Sequence, residues 1–474
     1  MSLCHDDVSH IVALASSLNL RDIRKPSRFQ NLSFSGAVSS LLDALASICV
    51  SEEVGEAFAV AVQFLSQNSI RFTFASDFNQ TKENIGRRFL DSEKENNIIT
   101  HVQHVWSLLQ TISDRCRVQE LDEQGLQNEL HVFCEKEIGQ LKTAIYTFGY
   151  QKFRHRVMKK ARWDEFCLFT EIYHTMERQN SVSDFFADLQ QFHSFLTVLV
   201  HEHLKREDSP GEGFLYLVTG AGILGQRILS RQSNSCEISS TRVSEDRRWM
   251  NRDPFPLRDY ITKVVALELH INTLLGFSSC LRNREIIVLR PEITHLSNFS
   301  YPVSEPSSWD NVLSLALSLG RRRPVDPPKL LQALNSTLPL SSSSQTIHSA
   351  FTTYHTLHCE MVLINHFVLN PSPPPLRQLG VSKPTCSACS SYIKASNKSR
   401  NIYFDVTRCN GKWYFPWSLS TSDPKILLHQ TLADVIEKIM TCLTTRGQVL
   451  QPSESDEIFH PEGSVSRKEG LNPG

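Results

Sequence analysis

The sequence predicts a chain of the α+β class, in which a helical N-terminal region precedes a C-terminal unit of mixed helices and strands. Apolar residues recur at helical spacing in residues 1–206, and apolar segments of helix and strand length alternate in residues 341–450. A middle region, residues 207–340, has mixed or helical character and ends in a Pro-rich and Ser-rich connector. Residues 451–474 are rich in Ser, Glu, Pro and Gly and predict a disordered tail.

Two stripes of apolar residues predict amphipathic helices in the N-terminal region. Each stripe advances by alternating steps of four and three residues, which places its members on one face of a helix. The first stripe comprises Ile98, Val102, Val105, Leu109, Ile112 and Cys116, and the second comprises Phe185, Leu189, Phe192, Leu196, Leu199 and His203. Stripes of this kind are packing surfaces, so the pattern indicates a helical domain rather than a cofactor site.

The middle region contains a glycine motif with two interpretations. Residues 214–219 form an apolar run typical of a buried strand, and Gly220, Gly222 and Gly225 follow in the G-x-G-x-x-G spacing of dinucleotide sites. Such sites also need an acidic residue about 20 positions later, at the end of a second strand. The following segment is polar and rich in Ser, and Glu237 comes too early. A tight, closely packed turn is therefore favoured over a nucleotide-dependent oxidoreductase.

Further elements follow from the same kind of pattern. The middle region predicts a helix over 254–276, a short strand over 285–289 and a helix over 309–319. The C-terminal unit predicts a buried helix over 361–369, a strand over 376–381 and a helix that begins near Cys389. Strands over 401–408 and 412–417, joined by an Asn-Gly turn, precede a last helix over 424–444.

Four residues of the C-terminal unit have the chemistry of a zinc centre. His358 and Glu360 form H-x-E, and Cys386 and Cys389 form C-x-x-C after a helix and a strand. One imidazole and two thiolates bind zinc and leave a fourth position open, where the metal lowers the pKa of water towards neutrality. Glu360 then serves as a proton shuttle rather than as a ligand. This combination is typical of zinc-dependent deaminases of nucleobases.

Two alternatives to an open zinc site remain at this point. Cys409 could supply a fourth ligand and close the site, and the chain would then be a non-catalytic scaffold or interaction protein with a structural zinc. His355 and His366 are rival imidazoles for the position of His358, although each is more typical of a capping or packing residue.

The segments that carry these residues resemble a known family. H-C-E at residues 358–360, G-V-S-K-x-x-C-x-x-C at 380–389 and G-K-W-Y-F-P-W-S-L at 411–419 are similar to the OTT-like deaminases, a branch of the cytidine deaminase-like superfamily that is expanded in fungi. Two positions differ from the superfamily pattern. Thr385 separates the proline from the first cysteine, and Cys359 stands where a small residue is usual.

The resemblance implies a fold, a cofactor and a substrate class. The fold is a C-terminal three-layer α/β/α cytidine deaminase-like domain, and the cofactor is one catalytic Zn²⁺ held by His358, Cys386 and Cys389, with Glu360 as the proton shuttle. The implied substrate is a nucleobase in a nucleoside or a nucleic acid, of the cytosine type rather than adenine. Residues such as Asn401, Asn410, Tyr403 and Trp413 are candidates for contact with the base.

Charge and composition limit the partners and the compartment. With 49 basic and 50 acidic residues, the chain has no overall charge that would attract nucleic acid or membrane. A weak polyanion contact would need a local patch, for which the candidates are Lys152, Arg154, Arg156, Lys159, Lys160 and Arg162. A solvated helix face is the favoured interpretation of this patch. Scattered cysteines, an N-terminus without a secretory signal pattern and short apolar runs predict a cytosolic or nuclear protein without membrane contact.

Overall fold

The structure is a computed structural model of the chain. It describes residues 5–17, 34–52, 56–77, 88–118, 133–177, 184–205, 210–231, 235–244, 246, 249, 253–296, 300–302, 309–319, 354–400, 403–414, 417–420 and 422–450. The predicted tail at 451–474 and the predicted boundary at residue 341 lie outside these residues.

The described residues form helices and short strands. The helices are α1 (His5–Ser17), α2 (Phe34–Ile48), α3 (Arg88–Val118), α4 (Glu135–Phe148), α5 (Tyr150–Met158), α6 (Lys160–Glu177), α7 (Asp184–Val198), α8 (Phe214–Ser230), α9 (Ser235–Ser244), α10 (Leu257–Ser279), α11 (Arg284–Ile287), α12 (Trp309–Leu319), α13 (Cys359–Leu369), α14 (Ser387–Arg400) and α15 (Lys425–Leu450). The strands are β1 (Ala57–Ser66), β2 (Ser69–Asp77), β3 (Arg290–Leu296), β4 (Ser300–Pro302), β5 (Tyr354–Thr356), β6 (Gln378–Val381) and β7 (Asp405–Val406). The π-helical turn Leu199–Leu204 continues α7, and the 3-10 turn Leu281–Asn283 precedes α11.

One five-stranded sheet in the order β3-β2-β1-β6-β7 joins all three regions of the chain. β1 and β2 form an antiparallel hairpin, and β3 from the middle region pairs in parallel with β2. β6 from the C-terminal unit pairs antiparallel with β1, through Ala59 opposite Val381 and Val60 opposite Gly380. β7 then adds to β6 in parallel. A separate two-stranded sheet pairs β4 with β5.

The hairpin corrects the prediction of an entirely helical region over residues 1–206. Side chains of β2 alternate, and Ile70, Phe72 and Phe74 point into one core. Asn68 lies in the turn between the two strands, and its carbonyl accepts a hydrogen bond from the backbone N–H of Arg290 at the start of β3. The hairpin is therefore held on both sides, by β3 and by β6.

Alternation along β1 sends its side chains to two separate cores. Phe58, Val60 and Val62 join a core with residues of α2, α3 and α10. Ala59 and Ala61 join a second core with residues of α1, α12, α13, α14 and α15. Helices therefore cover both faces of β1, and its alanines let α13 approach the sheet closely on the second face.

The two apolar stripes predicted in the N-terminal region are confirmed as buried helix faces. Every member of the first stripe is buried on α3, and every member of the second is buried on α7 or the turn after it. The predicted helices over 254–276, 309–319, 361–369 and 424–444 are also present, as α10, α12, α13 and α15.

The glycine motif lies inside a helix, so the predicted strand and turn are wrong, whereas the predicted close packing of the glycines is confirmed. Residues 214–230 form α8 rather than a strand and a turn. A Cβ atom at Gly225 would lie 2.4 Å from Cγ1 of Val265, and one at Gly222 would lie 2.6 Å from Cγ of Glu268. A Cβ at Gly220 would lie 2.9 Å from the ring of Phe195. The glycines allow α8 to pack against α7 and α10, so this motif provides no dinucleotide site.

Three strand predictions need correction. Residues 284–287 form α11, and the strand begins only at Arg290, where pairing with Ser69 of β2 starts. Of residues 403–408, only Asp405 and Val406 form a strand. The second predicted strand is described only at residues 412–414 and 417, and these residues form no strand. The carbonyl of Lys412 accepts a hydrogen bond from the Ser387 N–H of the cysteine loop instead.

Helix α2 is fastened to the strand that leads towards the cysteines. A Cβ at Gly380 of β6 would lie 2.2 Å from the carbonyl carbon of Leu42, so only glycine permits this crossing. The carboxylate of Asp43 accepts hydrogen bonds from the Val381 N–H at 2.8 Å and from the Thr407 hydroxyl at 2.6 Å. The N-terminal region therefore supports the C-terminal unit directly.

Among the described helices, none is by itself long and apolar enough to cross a bilayer. The helices Leu257–Ser279 and Leu281–Ile287 meet the length and composition together, but they are bent by 80° where they join.

Candidate metal centre

Two helix N-termini bring the four predicted site residues together. His358 is the N-cap of α13, two residues after β5, and Glu360 lies in the first turn of that helix. Cys386 directly precedes α14, and Cys389 lies in its first turn. Helix N-termini carry free N–H groups and a partial positive charge, so both favour thiolate and carboxylate groups.

The three predicted ligands converge on one point. The ligand atoms of His358, Cys386 and Cys389 all lie within 4.8 Å of one another. Nδ1 of His358 is 3.6 Å from Sγ of Cys386 and 3.3 Å from Sγ of Cys389. A tetrahedral zinc ion with ordinary Zn–N and Zn–S bonds would separate these atoms by about 3.6 Å. The residues therefore fit a zinc ion in both donor type and spacing.

Cys386 is the thiol that is prepared for ionisation. Burial raises its pKa, but hydrogen bonds from Cys389 and the positive charge of His358 outweigh burial and hold the pKa well below its ordinary value. One of these bonds is the backbone N–H of Cys389, at 3.3 Å from Sγ of Cys386. Burial and the neighbouring Cys386 raise the pKa of Cys389 instead.

The pKa of His358 is shifted in the opposite direction to that of Cys386. Burial lowers its pKa, but Cys386, Asp77 and Glu360 together raise it to about 10. A metal ion needs the neutral imidazole and both thiolates. Metal binding at this site would therefore release protons into solution.

Glu360 is buried beside the ligands without joining them. It is only 5% exposed, and it lies outside the group whose ligand atoms approach within 4.8 Å. Burial raises its pKa, and the charge of His358 opposes this rise. The thiol of Cys359 donates a hydrogen bond to its Oε2 at 3.6 Å, which gives the unusual cysteine a contact. A carboxyl with a raised pKa is suited to accept and return a proton near neutral pH.

Among the side chains that the structure describes, neither a third cysteine nor a second imidazole joins the three converging ligand atoms. Cys409 is outside the group of converging ligand atoms, and burial raises the pKa of its thiol. His366 lies at the opposite end of α13 from His358. His355 lies in β5, opposite Tyr301, but its side chain lies outside the described residues, so its candidacy is untested.

Backbone and side-chain contacts hold the cysteine loop in place. Backbone hydrogen bonds link this loop to residues 408–412. The Thr385 N–H donates to the Arg408 carbonyl at 2.9 Å, and the Ser387 N–H donates to the Lys412 carbonyl at 2.8 Å. Lys438 of α15 donates to the Ser387 carbonyl at 3.2 Å. The indole N–H of the fully buried Trp417 donates to Sγ of Cys389 at 3.4 Å.

A buried polar network joins the two ligand-bearing helices. The hydroxyl of Tyr392 on α14 bonds to Asn365 of α13 at 2.6 Å and to Asp423 at 3.2 Å. Arg400, at the end of α14, pairs with the same Asp423 at 2.7 Å. These hydrogen bonds tie α13 to α14 and so help to set the distance between the imidazole and the thiols.

The residues suggested for base contact have different surroundings. The amide of Asn410 donates to the Pro384 carbonyl at 3.2 Å and to the Tyr414 hydroxyl at 3.0 Å. Trp413 is buried, and its indole N–H has no hydrogen-bond partner among the described residues. Tyr403 is exposed beneath Arg377, and Asn401 lies outside the described residues.

The basic residues of α5 and its surroundings are partly used within the fold. Nε of Arg154 donates to the Leu204 carbonyl at 2.7 Å, and Arg162 pairs with Glu165 at 3.0 Å. Lys159 is exposed, and burial lowers the pKa of Arg156. The side chain of Lys160 lies outside the described residues. Contact with a polyanion stays a prediction.

Sequence reasoning missed two residues that touch the ligands. Trp417 is within the segment that resembles the family, but nothing in its spacing indicated a bond to Cys389. Asp77, at the end of β2, places Oδ2 4.0 Å from Nε2 of His358. It lies in a distant part of the sequence, so no local motif could have identified it.

Comparison with protein families gives a match that covers this site. Residues 357–421 match the OTT_1508-like deaminase family. No curated protein and no solved structure matches the chain significantly. The matched segment contains His358, Glu360, Cys386 and Cys389, so the family match and the geometry point to the same residues. In its C-terminal region, this chain is therefore similar to the OTT_1508-like deaminases, over the residues that form the candidate metal centre.

Proposed function

We propose that the chain is a zinc-dependent hydrolytic deaminase that acts on a nucleobase. The observation that carries the proposal is the convergence of one imidazole and two thiols beside a buried carboxyl that is not part of the ligand group. A structural zinc site would close with a fourth protein ligand, whereas a catalytic one keeps a position open. The match of residues 357–421 to a deaminase family supports the same conclusion.

Each residue has a defined task in this proposal. His358, Cys386 and Cys389 hold the ion, which when bound supplies a Lewis acid able to activate water at neutral pH. Glu360 takes a proton from that water on its carboxylate and delivers it to the departing amine. The net reaction adds water at the ring carbon and releases ammonia, so a C–NH₂ group becomes a carbonyl. Glu360 returns to its starting state after each cycle.

The substrate class and the domain architecture extend this proposal. We infer a cytosine-type base in preference to adenine, in a nucleoside or a nucleic acid, because such bases are the substrates of this zinc chemistry. Helices on both faces of β1 agree with a three-layer α/β/α domain. Free thiolate ligands favour a reducing compartment, so we place the protein in the cytosol or nucleus.

The test combines metal analysis with ammonia release. Purified full-length protein should contain about one zinc per chain and release ammonia from cytidine, from cytosine nucleotides or from a cytosine-containing single strand. In Glu360→Gln we expect zinc to remain bound while ammonia release falls by at least about 100-fold, since general acid–base catalysis contributes on the order of 10²–10⁴-fold. In Cys386→Ala both zinc and activity should be lost.

His366→Gln provides the matched control, because this histidine lies on the same helix but away from the ligands. It should keep zinc and activity. Stoichiometric zinc with no ammonia from any of these substrates would contradict the enzymatic proposal and favour a non-catalytic protein with a zinc site.

A further inference from the structure

The metal centre has a charged neighbour from the N-terminal hairpin. Oδ2 of Asp77 lies 4.0 Å from Nε2 of His358, on the side of the ring away from the cysteines. The other ring nitrogen, Nδ1, faces the two sulfur atoms at 3.6 and 3.3 Å. The imidazole therefore lies between a carboxylate on one edge and the ligand sulfurs on the other.

This arrangement has a known consequence for metal ligands. A histidine that binds a metal through one nitrogen directs its second N–H towards a carboxylate or carbonyl, which fixes the tautomer and makes the ligating nitrogen more basic. At 4.0 Å, Asp77 acts through its charge rather than through a hydrogen bond. The negative charge favours a proton on Nε2 and a free electron pair on Nδ1.

The end of β2 is held in place on both sides. Asp77 lies opposite Ala57 of β1, and Ala75 lies opposite Leu296 of β3. Ser76 bonds through its hydroxyl to Nε2 of His295 at 2.9 Å. Because both neighbouring strands constrain this end, the carboxylate has a defined position relative to His358. Its side chain is 21% exposed, so water screens it only in part.

We propose that Asp77 is a positioning residue of the metal centre, which orients His358 and increases its affinity for the ion. The inference rests on the proposed function, because it assumes that the three ligands hold a metal. It also assigns a role to the N-terminal hairpin, which completes the site from outside the segment that matches the deaminase family.

The experiment measures metal affinity in the full chain. Zinc dissociation constants come from competition with a chromogenic chelator, and the visible absorption of bound Co²⁺ reports the ligand geometry. Asp77→Asn and Asp77→Ala should each weaken zinc binding by about 10- to 100-fold, the usual effect of losing an outer-shell partner. They should also change the Co²⁺ spectrum. Asp77→Glu keeps the charge and should recover most of the affinity.

Glu292→Gln is the control, because it removes a carboxylate from the same sheet that pairs with Arg71 instead of a ligand. It should bind zinc as the wild type does. Asp77→Asn is nearly isosteric and carries the test if Asp77→Ala does not fold.

The outcomes separate this inference from the proposed function. Wild-type affinity and an unchanged Co²⁺ spectrum in Asp77→Asn and Asp77→Ala would overturn the role of Asp77 alone. A wild-type chain that binds neither zinc nor Co²⁺ would overturn both proposals. Weakened binding in the Asp77 variants, with a wild-type chain that binds zinc but deaminates no base, would support Asp77 and overturn the enzymatic proposal.

Discussion

Single residues decide how closely helices approach in this protein, and the glycines of α8 are the best example. Gly225 faces Val265 and Ile261 of α10 and Phe192 of α7, so the three helices meet at a position with no space for a methyl group. Glu268, which lies over Gly222, also forms a buried ion pair with Lys142 at 2.7 Å. The glycines of α8 therefore leave room for the neighbouring helices and for Glu268 of the buried ion pair.

The glycine at position 225 gives a direct test of this packing role. Gly225→Ala should lower the free energy of unfolding by about 1–3 kcal/mol, because the added methyl group overpacks the contact with Val265. Gly139→Ala is the matched control, since a Cβ there meets nothing within 4 Å on α4. It should be neutral or stabilise the protein by about 0.5–1 kcal/mol. Urea unfolding measures both; equal effects would contradict the packing argument.

A buried histidine on α3 predicts how stability depends on pH. His101 is 8% exposed and stacks on Phe148, with ring centroids 4.0 Å apart. Burial lowers its pKa to about 3. Because the folded chain holds the ring neutral, its contribution to stability is present above the unfolded pKa of about 6.5 and is lost as pH falls towards 3.

We therefore expect the free energy of unfolding to fall as the pH drops below 6.5. His101 should account for up to about 1.4 kcal/mol of this fall per pH unit. His101→Phe keeps the stacking but does not titrate, so its free energy of unfolding should fall less steeply with pH, by the contribution of His101. His104→Gln, at an exposed position of the same helix, should keep the wild-type slope. Urea unfolding at pH 7, 5.5 and 4 gives the slopes, and identical slopes for wild type and His101→Phe would refute the assignment.

At the level of elements, the ligand-bearing helices depend on a helix from the other end of the chain. Helix α2 crosses β6 at Gly380, and its Asp43 ties together the strand before the cysteine loop and the loop after β7. Burial raises the pKa of Asp43, and its bonds to Thr407 and Val381 oppose that rise. The candidate metal centre is thus positioned by contacts between residues far apart in the sequence.

Asp43→Ala should show this dependence. It leaves the Val381 N–H and the Thr407 hydroxyl without their acceptor, so we expect a loss of about 2 kcal/mol in unfolding free energy and weaker zinc binding. Ser40→Ala, at an exposed position of the same helix, should change neither quantity. The measurements are urea unfolding of the metal-free protein and chelator competition. If Asp43→Ala binds zinc with wild-type affinity, α2 does not position the candidate metal centre through Asp43.

The contrast between predicted and observed elements has a physical explanation. The convergence of His358, Cys386 and Cys389 was predictable, because the two short motifs that contain them each combine residues with metal-binding chemistry. The alternation of Ile70, Phe72 and Phe74 indicated a strand. The apolar run of β1 before it fits a buried helix equally well, so the hairpin was not predicted. The strand over 412–417 was predicted from propensity, whereas the backbone carbonyl of Lys412 bonds to the cysteine loop. Asp77 was unpredictable, because its role depends on sheet order.

At the level of the whole molecule, the sheet order means that no region of the chain builds the metal centre alone. Among its described residues, the C-terminal unit contributes β6 and β7 to the five-stranded sheet, with four and two residues. β6 pairs with β1 of the N-terminal hairpin, and α13 packs against the second face of β1. Two such short strands without a third cannot form a stable sheet.

A fragment of residues 341–474 should therefore neither unfold cooperatively nor bind Co²⁺ with tetrahedral absorption, although it contains all three ligands and Glu360. Co-expression with residues 1–340 should restore both properties, because that part supplies β1, β2, β3 and α2. A chain of residues 1–450 is the control for truncation itself and should behave as the full chain does. Thermal unfolding and Co²⁺ titration test the fragment, and full-chain affinity in residues 341–474 alone would show that the C-terminal unit is an independent domain.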